Sequence, residues 1–311
     1  MLPTPYFHAV FTTDHAINDI ARVNKRKIYN LLFRAVSETL KEYGKKYLGG
    51  MLGFTLVLHT WGQTMEEHIH LHVIVTGGAF DGKEWRESNP GFLFPVEELS
   101  QDFRDRFCQG LLKLYQDGQL ALIGKAAEVD VEEIVERMQA KNWEVFIRAA
   151  FDNPEQVYEY LGRYVYKTAI SNYRIVDISD GKVSFTYYDN KDDGKEKVMT
   201  LDAFEFIRRF LLHVLPSHFH RIRYYGLHHS SKRKTLAHIR GLLGLEPELP
   251  EVNELELHEW IMSVTGEDPR VCPFCGEGRM RAWREFDGVG KLKSLLLALL
   301  GIPGRGRRAT A

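Results

Sequence analysis

The sequence is poor in cysteine and contains no long hydrophobic run. Three cysteines in 311 residues are too few for the disulfide framework of a small secreted protein. The most hydrophobic stretch, residues 295–302, is far shorter than the roughly 20 residues that a membrane-spanning helix needs. The N-terminal residues also lack the basic and then apolar order of a secretion signal. We therefore expect a cytoplasmic protein without membrane association.

A surplus of positive charge is also missing, because the formal net charge at pH 7 is −1. Nucleic-acid-binding proteins usually carry an excess of lysine and arginine. Here the basic residues are concentrated between residues 208 and 240, and acidic stretches elsewhere offset them. This region also contains Tyr224 and Tyr225, which suits contact with the phosphates and bases of a single strand; a solvated helix face is the alternative. The residues predicted to contact such a strand are Arg221, Arg223, Lys232 and Arg233.

The spacing of apolar residues predicts an α+β fold, in which an antiparallel sheet carries helices on one face. A first domain is expected over residues 1–215, with an insertion at about 79–142. Residues 216–311 are expected to form a mostly helical C-terminal region that ends in a disordered tail. The expected strands lie at 6–13, 52–61, 68–76, 143–149, 174–178 and 183–188, and the expected helices at 28–40, 96–115, 154–168 and 201–215.

The expected strand at 68–76 contains three alternating histidines. His70 and His72 are two residues apart, so in a strand they project to the same side at roughly 7 Å, and their imidazoles can converge on one divalent ion. The alternative is that they are polar residues facing solvent. The apolar residues that follow them favour a buried strand, and therefore a metal site.

The sequence leaves the third ligand of this site open. The backbone of His68 lies roughly 13 Å from that of His72 in an extended strand, too far for all three histidines to share one ion comfortably. Polar residues in the preceding connection or on the later helix are the other candidates. The set considered is Gln63, Glu66, Glu67, His68 and Glu159.

The expected helix at 154–168 carries two tyrosines four residues apart, Tyr160 and Tyr164. Residues at this spacing lie on one helix face, so both phenols can address one substrate. Core packing is the alternative for such a pair. Arg163 and Lys167 are four residues apart beside Tyr164 and suit contact with a phosphate.

A metal site and a tyrosine pair fit one chemistry. A phenolate that attacks a DNA phosphodiester needs an electrophilic phosphorus, and a divalent ion provides this by polarising a non-bridging oxygen. The resulting aryl phosphoester conserves the bond energy, so a free 3′-hydroxyl can later attack it without ATP. A second tyrosine allows a second strand to be cleaved while the first is occupied.

The segments HIHLHVIVTGGAF, YLGRYVYKTAISNYRI, FIRRFLLHVLP and RIRYYGLHHSSKRK together resemble the two-tyrosine HUH transposases of insertion-sequence ninety-one type. The resemblance extends from about Pro3 to Arg240. It implies an HUH endonuclease-like fold, an ion of Mg²⁺ or Mn²⁺ bound by His70 and His72, and nucleophilic roles for Tyr160 and Tyr164. It also implies a transposase that cleaves and rejoins single-stranded DNA through 5′-phosphotyrosine intermediates in rolling-circle transposition.

Two other functions remain open at this point. A rolling-circle replication initiator would use the same residue types, and a catalytically silent DNA-binding protein derived from a transposase is a third possibility. Family members often begin with a cysteine-rich zinc-binding module, whereas this sequence starts directly at the segment matching the family's first strand. Target recognition without that module, and the oligomeric state, are left open.

Cys272 and Cys275 have the spacing of a zinc knuckle and precede a glycine. A structural zinc site needs four ligands, and no second pair stands nearby in the sequence. The alternatives are therefore half of a zinc site or a turn with two free thiols.

Overall fold

The structure is a computed structural model. It describes residues 2–89, 91–151, 156–157, 168–189 and 192–246, and short pieces between 258 and 280. The chain divides into two compact units, residues 1–249 and 250–311. The first unit contains every regular element described below.

The first half of the chain contributes six strands and four helices to the described part. Their bounds are β1 (Tyr6–Thr12), α1 (Asn18–Val23), α2 (Lys25–Leu48), β2 (Gly53–Trp61), β3 (Glu67–Thr76), β4 (Gly78–Phe80), β5 (Trp85–Glu87), α3 (Val96–Gln116), α4 (Val131–Gln139) and β6 (Val145–Phe151). The elements after residue 168 are β7 (Ile175–Ser179), β8 (Lys182–Asp189), β9 (Lys195–Asp202), α5 (Ala203–Leu212), β10 (Ile222–Gly226) and α6 (Arg233–Leu242).

The fold is α+β, as predicted, and is built on a five-stranded antiparallel sheet in the order β10-β2-β3-β1-β6. β3 lies at its centre, so the strand that carries the alternating histidines has a neighbour on each side. β10 comes from beyond residue 215, the end of the first domain expected from the sequence. Its hydrogen bonds to β2 place the chain up to Gly226 in the same sheet.

One face of this sheet forms the main hydrophobic core. Alternate side chains such as Phe11 and Leu71 are fully buried there, together with residues of α2, α3 and α4 such as Leu32 and Phe103. Phe103 packs edge-on against Phe11, with ring centroids 5.2 Å apart. Residues of the expected insertion at 79–142 therefore supply part of the main core. The opposite face of the sheet carries the alternating histidines of β3, and we call it the histidine face.

A smaller antiparallel sheet contains β7, β8 and β9. The turn between β7 and β8 is formed by Asp180 and Gly181, both with positive φ, at 49° and 71°. Two central residues with positive φ are the signature of the tight hairpin turn that an Asp-Gly pair favours, so this predicted hairpin is confirmed. Phe185 of β8 is fully buried against Met65, in the connection between β2 and β3.

Within the described residues, no helix combines the length and the apolar composition that crossing a bilayer would require.

Candidate functional site

Three histidines from two adjacent strands converge on the histidine face. His70 and His72 project from β3, and His59 projects from β2, directly opposite His70 in the strand pairing. One ligand nitrogen from each lies within 4.8 Å of the others. His59 and His70 are buried and His72 is half-buried. We call these three residues the histidine cluster.

Hydrogen bonding fixes the orientation of His70. Its Nδ1 lies 2.8 Å from the carbonyl oxygen of His68, and a carbonyl can only accept, so Nδ1 carries the proton. The lone pair of a neutral His70 is then on Nε2, which lies 3.2 Å from Nε2 of His72. Two nitrogens bound at about 2.1 Å to one ion lie roughly 3 Å apart when they are adjacent ligands. The geometry of this pair therefore fits a shared cation.

The donor set of the cluster bears on which ion it suits. Three imidazoles suit a first-row transition ion better than Mg²⁺, which prefers oxygen ligands and keeps several waters. Of the two ions that the family resemblance implies, Mn²⁺ is the better fit to these residues.

Burial favours the neutral form of His70 and His8 on this face by lowering their pKa values. It lowers the pKa of His70 to about 3, and positive charge on His68 and His59 lowers it further. Burial also lowers the pKa of His8, on the neighbouring strand β1, to about 4, with a smaller contribution from Arg148. Neutral imidazoles keep the lone pairs that bind a metal.

These lowered pKa values predict a loss of stability on mild acidification. The unfolded chain takes up protons on these histidines below about pH 6.5, whereas the folded chain does not until pH 3–4. Unfolding is therefore favoured as the pH falls through this window, by up to about 1.4 kcal/mol per histidine for each pH unit. We expect the loss of unfolding free energy between pH 7.5 and 5.5 to be smaller by about 1 kcal/mol in His8→Phe than in the wild type. Urea denaturation in a chelator measures this difference, and equal losses would contradict it.

Of the predicted third ligands that the structure describes, His68 lies beside the cluster, with its ring centroid 4.8 Å from that of His70, but it is not a member of the converging group of three. Gln63 and Glu66 are exposed in the connection between β2 and β3, and Glu66 lies 3.7 Å from the guanidinium of Arg209. Glu67 is buried and forms an ion pair with Arg22. His68 lies on the histidine face, and its Nδ1 is 3.2 Å from Nε2 of His15. Glu159 lies outside the described residues.

The sequence reading missed His59, although a signal for it was present. β2 and β3 were expected to form an antiparallel pair, and alternation along β2 puts His59 on the same face as Thr55 and Val57. The register between the two strands then decides which histidines are neighbours. That register depends on the β2–β3 connection, in which Met65 has a positive φ of 57°.

The residues expected on the tyrosine helix, Tyr160, Arg163, Tyr164 and Lys167, lie outside the described residues. The described residues on either side of that segment are informative. Val157 is fully buried against Tyr6 and Ile74, and Ala169 and Ile170 pack against Met65.

The predicted DNA-contacting arginines Arg221, which precedes β10, and Arg223, within β10, both contact other parts of the protein. The guanidinium of Arg221 lies 5.9 Å from the ring centre of Trp61, and burial lowers its pKa. Arg223 donates to Oδ1 of Asn30 at 2.5 Å and lies 4.0 Å from the ring centre of Phe33. Arg223 therefore packs against the helical layer, on the side away from the histidine cluster.

The two tyrosines of β10 point to opposite faces of the sheet. Tyr225 stacks on Phe54 at 5.3 Å in the helical layer. Tyr224 is 54% exposed and, by strand alternation, lies on the histidine face. Lys232 and Arg233 follow at the start of α6, where Arg233 is exposed.

Comparison with known proteins adds the family. Residues 53–235, more than half of the chain, match a family described as "Putative transposase". The chain belongs to this transposase family. The matched residues include the whole histidine cluster and both tyrosines of the predicted pair.

Two relatives of this transposase-family chain carry similar names. It is 43% identical over 300 residues to "Putative transposase y4qJ" of Sinorhizobium fredii, covering 93% of this chain and 75% of the relative. It is 29% identical over 229 residues to the "Transposase for insertion sequence element IS801" of Pseudomonas savastanoi pv. phaseolicola, covering 71% of this chain and 54% of that relative. The chain thus spans about three quarters of one relative and about half of the other. No solved structure matches it.

Proposed function

We propose that this chain is a transposase that cleaves and rejoins single-stranded DNA, with a divalent ion at the histidine cluster and Tyr160 and Tyr164 as nucleophiles. The observation that carries the proposal is the convergence of three imidazoles, two buried and one half-buried, on the sheet face against which Val157, before the tyrosines, packs. Family membership favours transposition over the initiation of replication.

The first support concerns the chain immediately before the tyrosines. Val157 packs against Tyr6 and Ile74. Ile74 is two residues from His72 along β3, and Tyr6 is two residues from His8 along β1. By strand alternation both residues therefore lie on the histidine face. The chain three residues before Tyr160 is therefore held on that face.

The second support concerns the chain after the tyrosines. Ala169 and Ile170 pack against Met65, which precedes β3 in the sequence. The ligands on β3 lie between that connection and the end of the strand near Val157. Both ends of the segment that carries Tyr160 and Tyr164 are therefore held beside the histidine strand, and this is the arrangement that the proposed reaction requires.

The proposed cleavage step is a transesterification. The phenolic oxygen of a tyrosine attacks the phosphorus of a phosphodiester, the P–O3′ bond breaks, and the 3′-oxygen leaves as a hydroxyl after taking up a proton. The 5′-phosphate then remains esterified to the tyrosine, and a 3′-hydroxyl of another end can reverse the reaction to join strands. A divalent ion held by the cluster would supply the polarisation of a non-bridging oxygen.

A covalent adduct tests the proposal. The full chain is incubated with 5′- or 3′-labelled single-stranded oligonucleotides from the element ends, in Mn²⁺ or in EDTA. We expect a denaturation-resistant protein–DNA species in Mn²⁺ but not in EDTA, and only with the 3′-labelled oligonucleotide, because the fragment on the 3′ side of the cut stays attached. Mass spectrometry should locate the attachment on Tyr160 or Tyr164. A chain that binds these oligonucleotides but forms no adduct in Mn²⁺ would instead be a catalytically silent DNA-binding protein.

Tyr224 is predicted to stack on a base of the bound strand. It is exposed on the histidine face of the edge strand β10. Stacking on an aromatic side chain contributes roughly 1–3 kcal/mol per base. Tyr224→Ala should therefore weaken binding of single-stranded DNA about ten-fold in fluorescence anisotropy. Tyr47→Ala, at the end of α2 in the helical layer, is the control and should bind as the wild type does; equal effects would refute the assignment.

A further inference from the structure

His8 is in direct contact with the histidine cluster but is not part of it. It projects from β1 onto the histidine face and is 5% exposed. Its Nε2 lies 3.0 Å from Nδ1 of His72, and the two rings are within 11° of parallel, with centroids 5.3 Å apart. Because the rings are nearly parallel and meet nitrogen to nitrogen, the hydrogen bond lies near the plane of each ring. This is the direction in which the lone pair of the accepting nitrogen points.

This contact bears on which nitrogen of His72 is free to bind an ion. A neutral imidazole carries one proton, so one of its nitrogens is a donor and the other keeps its lone pair. His72 has His8 on its Nδ1 side and His70 on its Nε2 side. The lone pair of His70 already points at His72, because Nδ1 of His70 donates to a carbonyl.

Two proton arrangements satisfy these contacts. In the first, Nε2 of His72 donates to His70, and Nε2 of His8 donates to Nδ1 of His72. In the second, Nδ1 of His72 donates to Nε2 of His8, and the lone pairs of His70 and His72 face each other at 3.2 Å. The second arrangement is repulsive without a cation and is the one that binds a cation through both Nε2 atoms.

We propose that His8 is a positioning residue, which accepts the Nδ1 proton of His72 and thereby directs the Nε2 lone pair of His72 towards the ion. Between the two arrangements each imidazole keeps one proton, so ion binding shifts tautomers without releasing a proton from this pair. This inference rests on the proposed ion site, but it concerns ion binding alone and needs no DNA cleavage.

Ion titration without DNA tests it. The full chain is titrated with Mn²⁺ by calorimetry as wild type, His8→Phe and His8→Gln. Outer partners of metal-bound histidines contribute 10- to 100-fold to metal affinity. We expect His8→Phe to weaken Mn²⁺ binding by that factor. His8→Gln, whose amide oxygen can accept the same proton, should recover most of the loss.

A second histidine pair provides the matched control. His15 contacts His68 through the same two atoms, Nε2 to Nδ1, at 3.2 Å, although the two rings are tilted by 47°. His68 is not a member of the cluster, so His15→Phe should change Mn²⁺ affinity less than three-fold. Nitrogen-15 NMR with diamagnetic Zn²⁺ as the probe should show Nδ1 of His72 protonated in the wild type. This measurement tests the proposal even if His8→Phe fails to fold. The proposal would be overturned if folded His8→Phe bound Mn²⁺ with wild-type affinity or if His15→Phe weakened binding equally. It would also be overturned if His8→Gln recovered none of the loss or if Nε2 of His72 were protonated. If wild type binds Mn²⁺ as expected but cleaves no DNA, the proposed function fails and the role of His8 stands.

Discussion

His59→Ala is expected to weaken Mn²⁺ binding by about a hundred-fold or more, and to lower the rate of DNA cleavage roughly 10³-fold. His59 supplies one of the three imidazoles of the cluster, and an ion that polarises a phosphoryl oxygen provides several kcal/mol of transition-state stabilisation. Calorimetric titration gives the first effect, and adduct formation under single-turnover conditions gives the second.

His68→Ala is the matched control for this experiment. His68 lies on the same face of the sheet, two residues from His70, and was a candidate ligand on sequence grounds. Its ring contacts those of His15 and His70, and the carbonyl that orients His70 belongs to the backbone and survives the substitution. We expect Mn²⁺ affinity within a few-fold of the wild type. A larger loss in His68→Ala than in His59→Ala would mean that the ion is bound by a different set of histidines.

Substitution of the tyrosine pair is expected to abolish covalent attachment. Removal of a nucleophile commonly costs 10⁴-fold or more in rate, so Tyr160→Phe/Tyr164→Phe should form no detectable adduct while it still binds Mn²⁺ and single-stranded DNA. Each single substitution should leave one nucleophile, so cleavage of one strand end continues while joining of two ends is lost. Gel analysis of labelled single and paired ends distinguishes these outcomes.

Neighbouring tyrosines provide the controls for this pair. Tyr158→Phe and Tyr166→Phe remove a phenol from the same segment at positions that do not share the spacing of Tyr160 and Tyr164. Both variants should form adducts at the wild-type rate. If the adduct persisted in the double variant and disappeared in either control, Tyr158 or Tyr166 would be the nucleophile and the assignment to Tyr160 and Tyr164 would be wrong.

Much of the fold was predictable because alternation and turn chemistry are local properties. The strands around Phe11, Leu71 and Phe185 follow from apolar spacing, and the β7–β8 hairpin follows from the backbone conformations that Asp180 and Gly181 tolerate. The helix expected at 201–215 instead begins at Ala203 and ends at Leu212. Its first two expected residues end β9, because the side chain of Asp202 accepts a hydrogen bond from the N–H of Phe204 and caps the helix there.

The site was predictable only in part, because its completion depends on pairing between strands. His70 and His72 are neighbours by alternation alone. The contributions of His59 and His8 require the registers of β2 and β1 against β3, which no local pattern specifies. The different environments of Tyr224 and Tyr225 likewise depend on which face of the sheet the helices cover, and composition could not distinguish them.

The late position of β10 in the chain affects how the protein is made. β10 pairs with β2, for example Ile222 with Val57, so the ribosome must synthesise most of the first unit before β2 gains its outer neighbour. Until then β2 is an exposed sheet edge, which is the kind of strand that pairs with other chains and aggregates. Long-range pairings of this type also slow folding. Expression at low temperature, or with a chaperone that holds nascent chains, should therefore raise the yield of soluble protein.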